Sequence, residues 1–357
     1  MLSAGDFRAL VSGARRGPRA AALRLGLRVA EIPYTLAVRW RNYGYDRGHL
    51  TTHRANVPVI SVGNLTLGGT GKTPLVAWIA RRLRERGLRV TLISRGYGAE
   101  NGARNDEALE LEQKLPDVPH LQNPDRVAAA QTAVEEFDCQ VILLDDGFQH
   151  RRLARDLDIV LIDGLEPFGF DHVFPRGMLR EPVSSLRRAD VVALSRADMI
   201  SRERRVELRA IVARYNPRAP WVEMRHAPQR LLAASGRTAP LESLAGARIA
   251  AFCGIGNPAG FRHTLAQCGF AVDELREFPD HHSYTRDDVE ALGRQARAQQ
   301  AAALVCTHKD LVKLGVDDLS GVPLWAVEIG LEITSGEREL LECLQAATTS
   351  RGETLVE

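Results

Sequence analysis

The chain has 357 residues, of which 45% are hydrophobic and 26% are charged, and its formal net charge is +2. This length allows two domains with full cores, and the composition is ordinary for a soluble protein. No stretch approaches the roughly 20 apolar residues that a membrane-spanning helix needs, and arginines interrupt any signal-peptide core, so we expect neither a transmembrane span nor export.

The cysteines argue against disulfides and zinc. There are five of them, an odd number, and they are scattered without CxxC or Cys/His ligand spacing. Most lie inside apolar runs, which predicts buried free thiols in a reducing compartment.

The first 56 residues are strongly basic. They carry ten arginines against three acids, a charge of +7, so the rest of the chain carries −5. Residues 19–42 interleave arginines with large apolar residues, which predicts one or two amphipathic helices that Pro33 kinks or breaks. A basic segment on an acidic body indicates an anionic partner, either a membrane or a nucleic acid. The alternative is a helix that simply packs on the domain behind it.

A glycine-rich segment follows the apolar run 57–62. Residues 66–73 read Thr-Leu-Gly-Gly-Thr-Gly-Lys-Thr and open a helical segment. Strand, loop, Gly-Lys-Thr and helix together make a P-loop, although Thr66 replaces the usual first glycine. Lys72 would reach the β- and γ-phosphates, and Thr73 would offer its hydroxyl to Mg²⁺. The chain is therefore predicted to bind a nucleoside triphosphate through Thr66, Gly68, Gly69, Thr70, Gly71, Lys72 and Thr73.

Strand and helix patterns alternate from residue 57 onward. This order predicts a P-loop kinase-like α/β fold, with a mostly parallel sheet and helices on both faces. The expected domains are a basic amphipathic segment (1–50), a P-loop domain (51–224), a linker (225–246) and a smaller C-terminal α/β domain (247–357). Strands are expected at 57–63, 88–94, 118–122, 140–145, 158–163, 189–195, 247–253, 302–307 and 323–328, and helices near 74–86, 124–137, 200–215, 258–267, 285–299 and 337–348.

Two adjacent aspartates end the apolar run 141–144. Asp145 and Asp146 would lie at the carboxyl end of a strand beside the P-loop, where a Mg²⁺-holding acid belongs. Two neighbouring carboxylates repel each other unless a cation or solvent compensates them. The alternative is a strand end that enters a polar turn.

Three further segments carry charged side chains. Asp106 and Glu107 lie in a polar stretch, and their residue pattern alone indicates only a solvated loop. Within the turn 175–182, Arg180 could present a fork-shaped donor to phosphate. Residues 278–282 place Asp280 beside two histidines, which alone is a weak metal signal because adjacent side chains point apart.

Residues 195–198 read Ser-Arg-Ala-Asp after a predicted strand. Their place resembles that of the Asn-Lys-x-Asp guanine reader of GTPases. Both Asn and Lys are absent, which argues against guanine specificity.

Taken together, these segments resemble the tetraacyldisaccharide 4′-kinase family, the lipid A 4′-kinases. The similarity covers nearly the whole chain, and its most specific parts are the Gly-Asn-Leu-Thr prefix of the P-loop and the run Asp-Asp-Gly-Phe-Gln-His. The motifs that carry it lie at 40–48, 61–73, 94–98, 106–107, 145–150, 179–182, 254–258, 278–285 and 309–314.

The resemblance implies an ATP- and Mg²⁺-dependent kinase that phosphorylates the 4′-hydroxyl of a tetraacylated glucosamine disaccharide 1-phosphate to give lipid IVA. It implies peripheral action at the cytoplasmic face of the bacterial inner membrane, with neither nucleic acid nor an obligate protein as partner. By the same resemblance, Asp106, helped by His281 or His282, activates the hydroxyl, and Asp145 and Asp146 hold Mg²⁺. The implied catalytic residues are Asp106, His281, Lys72 and Arg180, and the implied substrate-lining or supporting residues are Glu107, Glu181, Asp280 and His282.

Two other functions remain open on the residues alone. One is a P-loop phosphotransferase or ligase that acts on a soluble metabolite, in which case the basic segment is merely structural. The other is a GTP-hydrolysing switch for assembly or metal insertion. Nucleotide preference distinguishes the switch, and a requirement for lipid or detergent distinguishes the soluble-metabolite enzyme.

Overall fold

Runs of buried apolar residues form the strands, and helices with one buried face lie between them. The computed structural model describes residues 4–96, 111–112, 114–280 and 282–349. The helices are α1 (Ala4–Val11), α2 (Pro18–Asp46), α3 (Lys72–Glu85), α4 (Arg126–Glu135), α5 (Arg202–Tyr215), α6 (Pro258–Gln267), α7 (Arg286–Ala298), α8 (His308–Leu314) and α9 (Glu337–Thr349). The strands are β1 (Val59–Asn64), β2 (Val90–Ser94), β3 (His120–Gln122), β4 (Val141–Asp145), β5 (Leu157–Asp163), β6 (Val191–Ser195), β7 (Trp221–Leu232), β8 (Thr238–Ala239), β9 (Arg248–Cys253), β10 (Ala271–Glu277), β11 (Ala303–Thr307), β12 (Asp318–Leu319) and β13 (Val322–Ser335).

The first compact unit contains the P-loop. Its sheet has the order β7-β6-β5-β1-β4-β2-β3, and all of these neighbours are parallel. Every residue of β1, β2, β4, β5 and β6 is buried, as expected of a parallel sheet that is covered on both faces. One apolar cluster joins the sheet to α5 and a second joins it to α4, which confirms the predicted α/β fold. The unit comprises Met1–Arg95, Val118–Arg225 and Ile333–Glu357.

The second unit is also α/β. Its parallel strands have the order β10-β9-β11-β13, and the short strands β8 and β12 pair antiparallel with β7 and β13. Two apolar clusters fill its core, one around Phe261 and the other around Phe252. The unit comprises Gly96–Asp117 and His226–Glu332.

The unit boundaries differ from the domain boundaries expected from the sequence. The segment 225–246, expected as a linker, contains most of β7 and all of β8. The last helix, α9, belongs to the first unit rather than to a continuous C-terminal domain. The burial of β7 does not alternate regularly, which explains why its residues show no clear period in the sequence.

Several helices begin at residues whose side chains cap them. Asn257 and Thr285 accept hydrogen bonds from backbone N–H groups and begin α6 and α7. The cap of α4 is Asp125, whose side chain accepts from two backbone N–H groups. Asn123 accepts from the Asp125 N–H at 2.9 Å, in the local turn that precedes the helix.

The N-terminal segment folds mainly into α2, which continues through Pro33. Of the two predicted effects of this proline, a kink or a break, the break is absent. Pro33 and Val29 are both exposed. Proline has no N–H group, so the Val29 carbonyl loses its helical donor on the exposed side of the helix. Among the described residues, no helix combines the length and the hydropathy that crossing a bilayer requires.

All five cysteines are free. Cys139, Cys253 and Cys306 are buried, and the other two are partly buried. Burial raises the pKa of Cys253 to about 12, so this thiol is protonated and unreactive at neutral pH.

Candidate functional site

The P-loop connects the end of β1 to the start of α3. Gly68 and Gly71 have φ values of 112° and 79°, in the left-handed region that favours glycine. A Cβ atom on exposed Gly68 or Gly69 would meet no atom within 4 Å, so open space borders the loop. An open loop that leads into a helix N-terminus provides the N–H groups and the dipole that bind anions.

Lys72 lies beside Asp146, which directly follows β4, and near Arg180, which belongs to the turn 175–182. Its Nζ is 3.3 Å from one carboxylate oxygen of Asp146, and Arg180 Nη1 donates to the other at 2.7 Å. Burial raises the pKa of Asp146, but Lys72 and Arg180 lower it by more, to about 2. The carboxylate is therefore ionised at neutral pH and holds two cations at the mouth of the loop.

Arg180 is held in place through its backbone. Its N–H donates to the Leu65 carbonyl at 2.7 Å, and Leu67 N–H donates to the Met178 carbonyl at 2.7 Å. These hydrogen bonds join the turn to the two residues on either side of Thr66. The turn that carries Arg180 is therefore attached to the start of the P-loop, and the role of Arg180 as a phosphate donor stays a prediction.

Glu181 points away from the loop. It is fully buried, and it accepts hydrogen bonds from Arg41 at 2.9 Å, Asn42 at 3.1 Å and Arg188 at 2.8 Å. Arg41 and Asn42 belong to α2. Glu181 thus attaches α2 to the turn that carries Arg180. In this position it supports the site rather than lining it.

The predicted Mg²⁺ ligands lie near the P-loop and have suitable chemistry. Asp145 is buried at the end of β4, opposite Val62 of β1, and Thr73 is the second residue of α3. Carboxylate and hydroxyl oxygens are the donors that Mg²⁺ prefers, usually one or two carboxylates together with phosphate oxygens. Within the described part of the chain, no three His, Cys, Asp or Glu side chains converge as a ready-made metal site. The donor set therefore fits a metal that arrives with a nucleotide.

Three further residues join this site, and the residue patterns did not single them out. Asn64 accepts from Lys72 Nζ at 3.4 Å, and its backbone carbonyl accepts from Gln149 at 2.9 Å. Arg126 is buried and donates to the Asp146 carbonyl at 3.4 Å, and burial lowers its pKa. Asn64 and Gln149 lie inside motifs that carry the family resemblance, which is the signal that could have identified them. Arg126 lies in a short alanine-rich helix and has no such signal.

The second unit contains the Asp280 segment. His282 Nε2 is 3.0 Å from an Asp288 carboxylate oxygen, and the imidazole stacks on Phe278 with a centroid distance of 4.8 Å. The Thr285 backbone N–H, together with His282, lowers the pKa of Asp288 to about 2. Asp280 lies against Gly256, where a Cβ would be 2.9 Å from one of its carboxylate oxygens. His282 is therefore held by the start of α7, whereas Asp106, Glu107 and His281 lie outside the described residues.

Helix α2 presents a continuous apolar face to solvent. Leu25 and Trp40, at opposite ends of this face, are 68% and 79% exposed, and Val29, Ile32 and Leu36 lie between them at helical spacing. We call these five residues the outer face of α2. An exposed apolar surface of this kind marks an interaction site.

The opposite side of α2 is docked by polar contacts. Buried Glu31 accepts from the Val173 N–H at 2.9 Å, and the Tyr34 hydroxyl donates to the Arg180 carbonyl at 3.4 Å. The sequence allowed two interpretations of this segment, a helix that binds an anionic partner and a helix that packs on its own domain. They are compatible, because the helix packs on its domain and also leaves an apolar face exposed.

Comparison with known proteins gives a consistent result. Residues 23–349 match the profile of the tetraacyldisaccharide-1-P 4′-kinase family. A tetraacyldisaccharide 4′-kinase of Anaeromyxobacter dehalogenans is 44% identical over 90% of both chains, and one of Geobacter sulfurreducens is 38% identical over 91% of this chain and 94% of the relative. The crystal structure of LpxK from Aquifex aeolicus in complex with ATP matches with a TM-score of 0.72 and 29% identity, over 91% of this chain and 99% of that one.

Proposed function

This chain belongs to the tetraacyldisaccharide 4′-kinase family, and we propose that it transfers the γ-phosphate of ATP to the 4′-hydroxyl of a tetraacylated glucosamine disaccharide 1-phosphate. The product would be lipid IVA. The observation that carries the proposal is the cluster of Lys72, Asp146 and Arg180 at the P-loop. Phosphoryl transfer depends mainly on positioning and on neutralising charge, and this cluster supplies fixed positive charge where the phosphates would bind.

The P-loop residues bind and orient the nucleotide in this proposal. Backbone N–H groups of Gly69 to Lys72 would surround the phosphates, and the Lys72 ammonium would leave Asp146 for a phosphate oxygen. Arg180 would then keep Asp146 charged and in place. When bound, Mg²⁺ would neutralise negative charge on the phosphates, and Thr73, Asp145 and Asp146 are the residues proposed to hold it.

Activation of the acceptor hydroxyl is assigned to Asp106, with His281 or His282 in support. The His282 contacts favour His281 as the histidine that acts on Asp106, because Asp288 and Phe278 already hold the His282 imidazole. His282 and Asp280 would then orient the segment that carries His281. Glu107 and Glu181 complete the set of supporting residues.

The outer face of α2 is proposed to dock on the cytoplasmic face of the inner membrane, from which a lipid substrate must be drawn. Leu25, Ile32 and Trp40 would insert among acyl chains, and arginines of the same helix would lie near anionic headgroups. Arg28 and Arg39 are both exposed. Binding to anionic vesicles should therefore weaken at high salt without disappearing, because salt screens only the charge contribution.

The two alternative functions are not favoured. Family membership across residues 23–349 argues against a regulatory GTP switch, and the exposed outer face of α2 argues against a purely soluble substrate. In the crucial assay, labelled γ-phosphate would pass from ATP to a lipid A disaccharide precursor in mixed micelles. Transfer from GTP alone, or only to a water-soluble acceptor, would contradict the proposal.

Lys72→Ala gives the matched test of the site. The variant should nearly abolish transfer while leaving the fold intact, because the lysine serves charge neutralisation at a loop. Arg82→Ala is a suitable control, since Arg82 is a partly exposed arginine of the same helix that contacts Glu85, Glu337 and the Trp78 ring rather than the site. Near-normal turnover in Lys72→Ala with unchanged ATP dependence would refute the P-loop assignment.

A further inference from the structure

Two residues at the end of β6 support the P-loop from behind. The hydroxyl of Ser195, which is fully buried, donates to the Thr70 carbonyl at 2.8 Å. Buried Arg196 donates from Nη2 to the Gly69 carbonyl at 3.2 Å and pairs through Nη1 with Asp163 at the end of β5. Two consecutive carbonyls of the loop are therefore held by side chains from the end of β6, which lies two strands away from β1 in the sheet.

These contacts set the direction of the loop's N–H groups. In a trans peptide the carbonyl and the N–H of the same plane point in opposite directions. Because Arg196 holds the Gly69 carbonyl, the Thr70 N–H is turned away from Arg196. Because Ser195 holds the Thr70 carbonyl, the Gly71 N–H is turned away from Ser195. Both N–H groups then point to the open side of the loop.

The backbone at Arg196 is consistent with a specialised role. Its φ is 54°, in the left-handed region that non-glycine residues occupy only when their surroundings hold them. The Arg196 backbone lies close to Gly164. A Cβ atom at residue 164 would be 3.0 Å from the Arg196 carbonyl oxygen, so glycine allows this close approach. Asp163 compensates the buried guanidinium and also accepts the Leu165 N–H at 3.1 Å.

From this geometry we propose that Ser195 and Arg196, with Asp163 as the partner of the arginine, are positioning residues of the P-loop. They orient the Thr70 and Gly71 N–H groups toward the phosphates without touching the nucleotide themselves. Their side chains face the loop, so this segment does not read a guanine base, although its place in the chain resembles that of the GTPase reader. The inference rests on the proposed binding of ATP by the P-loop.

The test compares nucleotide affinity with fold stability in the full-length protein. Ser195→Ala removes one buried hydroxyl. Arg196→Lys keeps the positive charge next to Asp163 but removes Nη2, the nitrogen that donates to the Gly69 carbonyl. Each should raise the Kd of Mg²⁺-ATP about threefold to tenfold, the usual effect of losing one hydrogen bond. The thermal midpoint without nucleotide should stay close to that of the wild type. Ser185→Ala is the control, because it removes another buried serine hydroxyl of the same unit and should leave the Kd unchanged.

A double variant separates positioning from stabilisation. Arg196→Met with Asp163→Leu replaces a buried ion pair by apolar side chains, a change that proteins often tolerate without loss of stability. Wild-type stability of the double variant with an ATP Kd at least tenfold above the wild-type value supports the proposal. Wild-type affinity in the double variant and in Ser195→Ala would overturn it. If the double variant does not fold, Ser195→Ala alone decides, and a wild-type chain that binds no ATP would overturn the proposed function as well.

Discussion

The outer face of α2 allows a quantitative prediction about membrane binding. Leu25, Ile32 and Leu36 are 68%, 56% and 59% exposed, so about three fifths of each side chain is available to lipid. Fully burying such a side chain is worth about 1.5–3 kcal/mol, so the available part of each contributes about 1–1.8 kcal/mol. Replacing all three by serine should therefore remove about 3–5 kcal/mol of binding free energy. At 1.4 kcal/mol per factor of ten, the partition coefficient should fall about a hundredfold to a few thousandfold.

Flotation with vesicles that contain anionic lipid measures this partition coefficient directly. The control is the triple variant Phe137→Ser, Val206→Ser and Tyr215→Ser, which changes three exposed apolar residues of the same unit outside α2. Both triple variants should fold, since all of the altered residues are largely exposed rather than part of the core, and their melting midpoints show whether a loss of vesicle binding is independent of stability. Substitution is a better test than deleting the segment, because deletion would expose the buried carboxylate of Glu181 and remove two of its partners, Arg41 and Asn42.

Equal vesicle binding by the wild type and the α2 triple variant would refute the argument that the outer face is the anchor. Equal losses in the two triple variants would show that apolar exposure in general, rather than this face, drives binding. The salt series adds an independent check. In the α2 variant the charge contribution should remain, so raising the salt concentration should remove most of the residual binding.

Three further predictions concern single residues. Asp106→Asn should lower kcat by about two to four decades with little change in the KM for ATP, because a general base contributes about that much; a large rise in KM with kcat preserved would instead make Asp106 a nucleotide-site residue. Glu181→Gln should destabilise the fold by about 3–5 kcal/mol in denaturant unfolding, because it leaves the Arg188 charge, which is only 10% exposed, without its partner; an unchanged midpoint would contradict this. Burial and the nearby Arg126 lower the pKa of His150 from 6.5 to about 4. Between these two pH values the unfolded chain binds a proton that the folded chain does not. The free energy of unfolding should therefore fall as the pH drops through this range. His150→Gln should remove that part of the pH dependence, as measured by unfolding free energies at pH 5 and pH 7.

The site was predictable where its residues are close together in the chain. The P-loop follows a strand and opens a helix, and Asp145 and Asp146 end an apolar run, so short-range periodicity sufficed to place them on one edge of a parallel sheet. Arg180 was recognised as a phosphate-binding candidate from its turn, and the structure brings it to Asp146 at 2.7 Å. The α/β architecture follows from the same local patterns, because alternating strands and helices form parallel sheets.

The sequence by itself determined the strands, the helices, the nucleotide-binding loop and the family. Only the tertiary structure decided which distant side chains share the site and which surfaces stay exposed. Glu181 bonds to Asn42, 139 residues away, and Arg196 bonds to the Gly69 carbonyl, 127 residues away. Local periodicity reports only which face of an element is apolar, whereas these contacts depend on which strand ends lie next to each other in the folded sheet. For the same reason α9 belongs to the first unit and the segment 225–246 contributes residues to β7 and β8: contacts with segments that are distant in the chain, rather than local pattern, determine where such segments go.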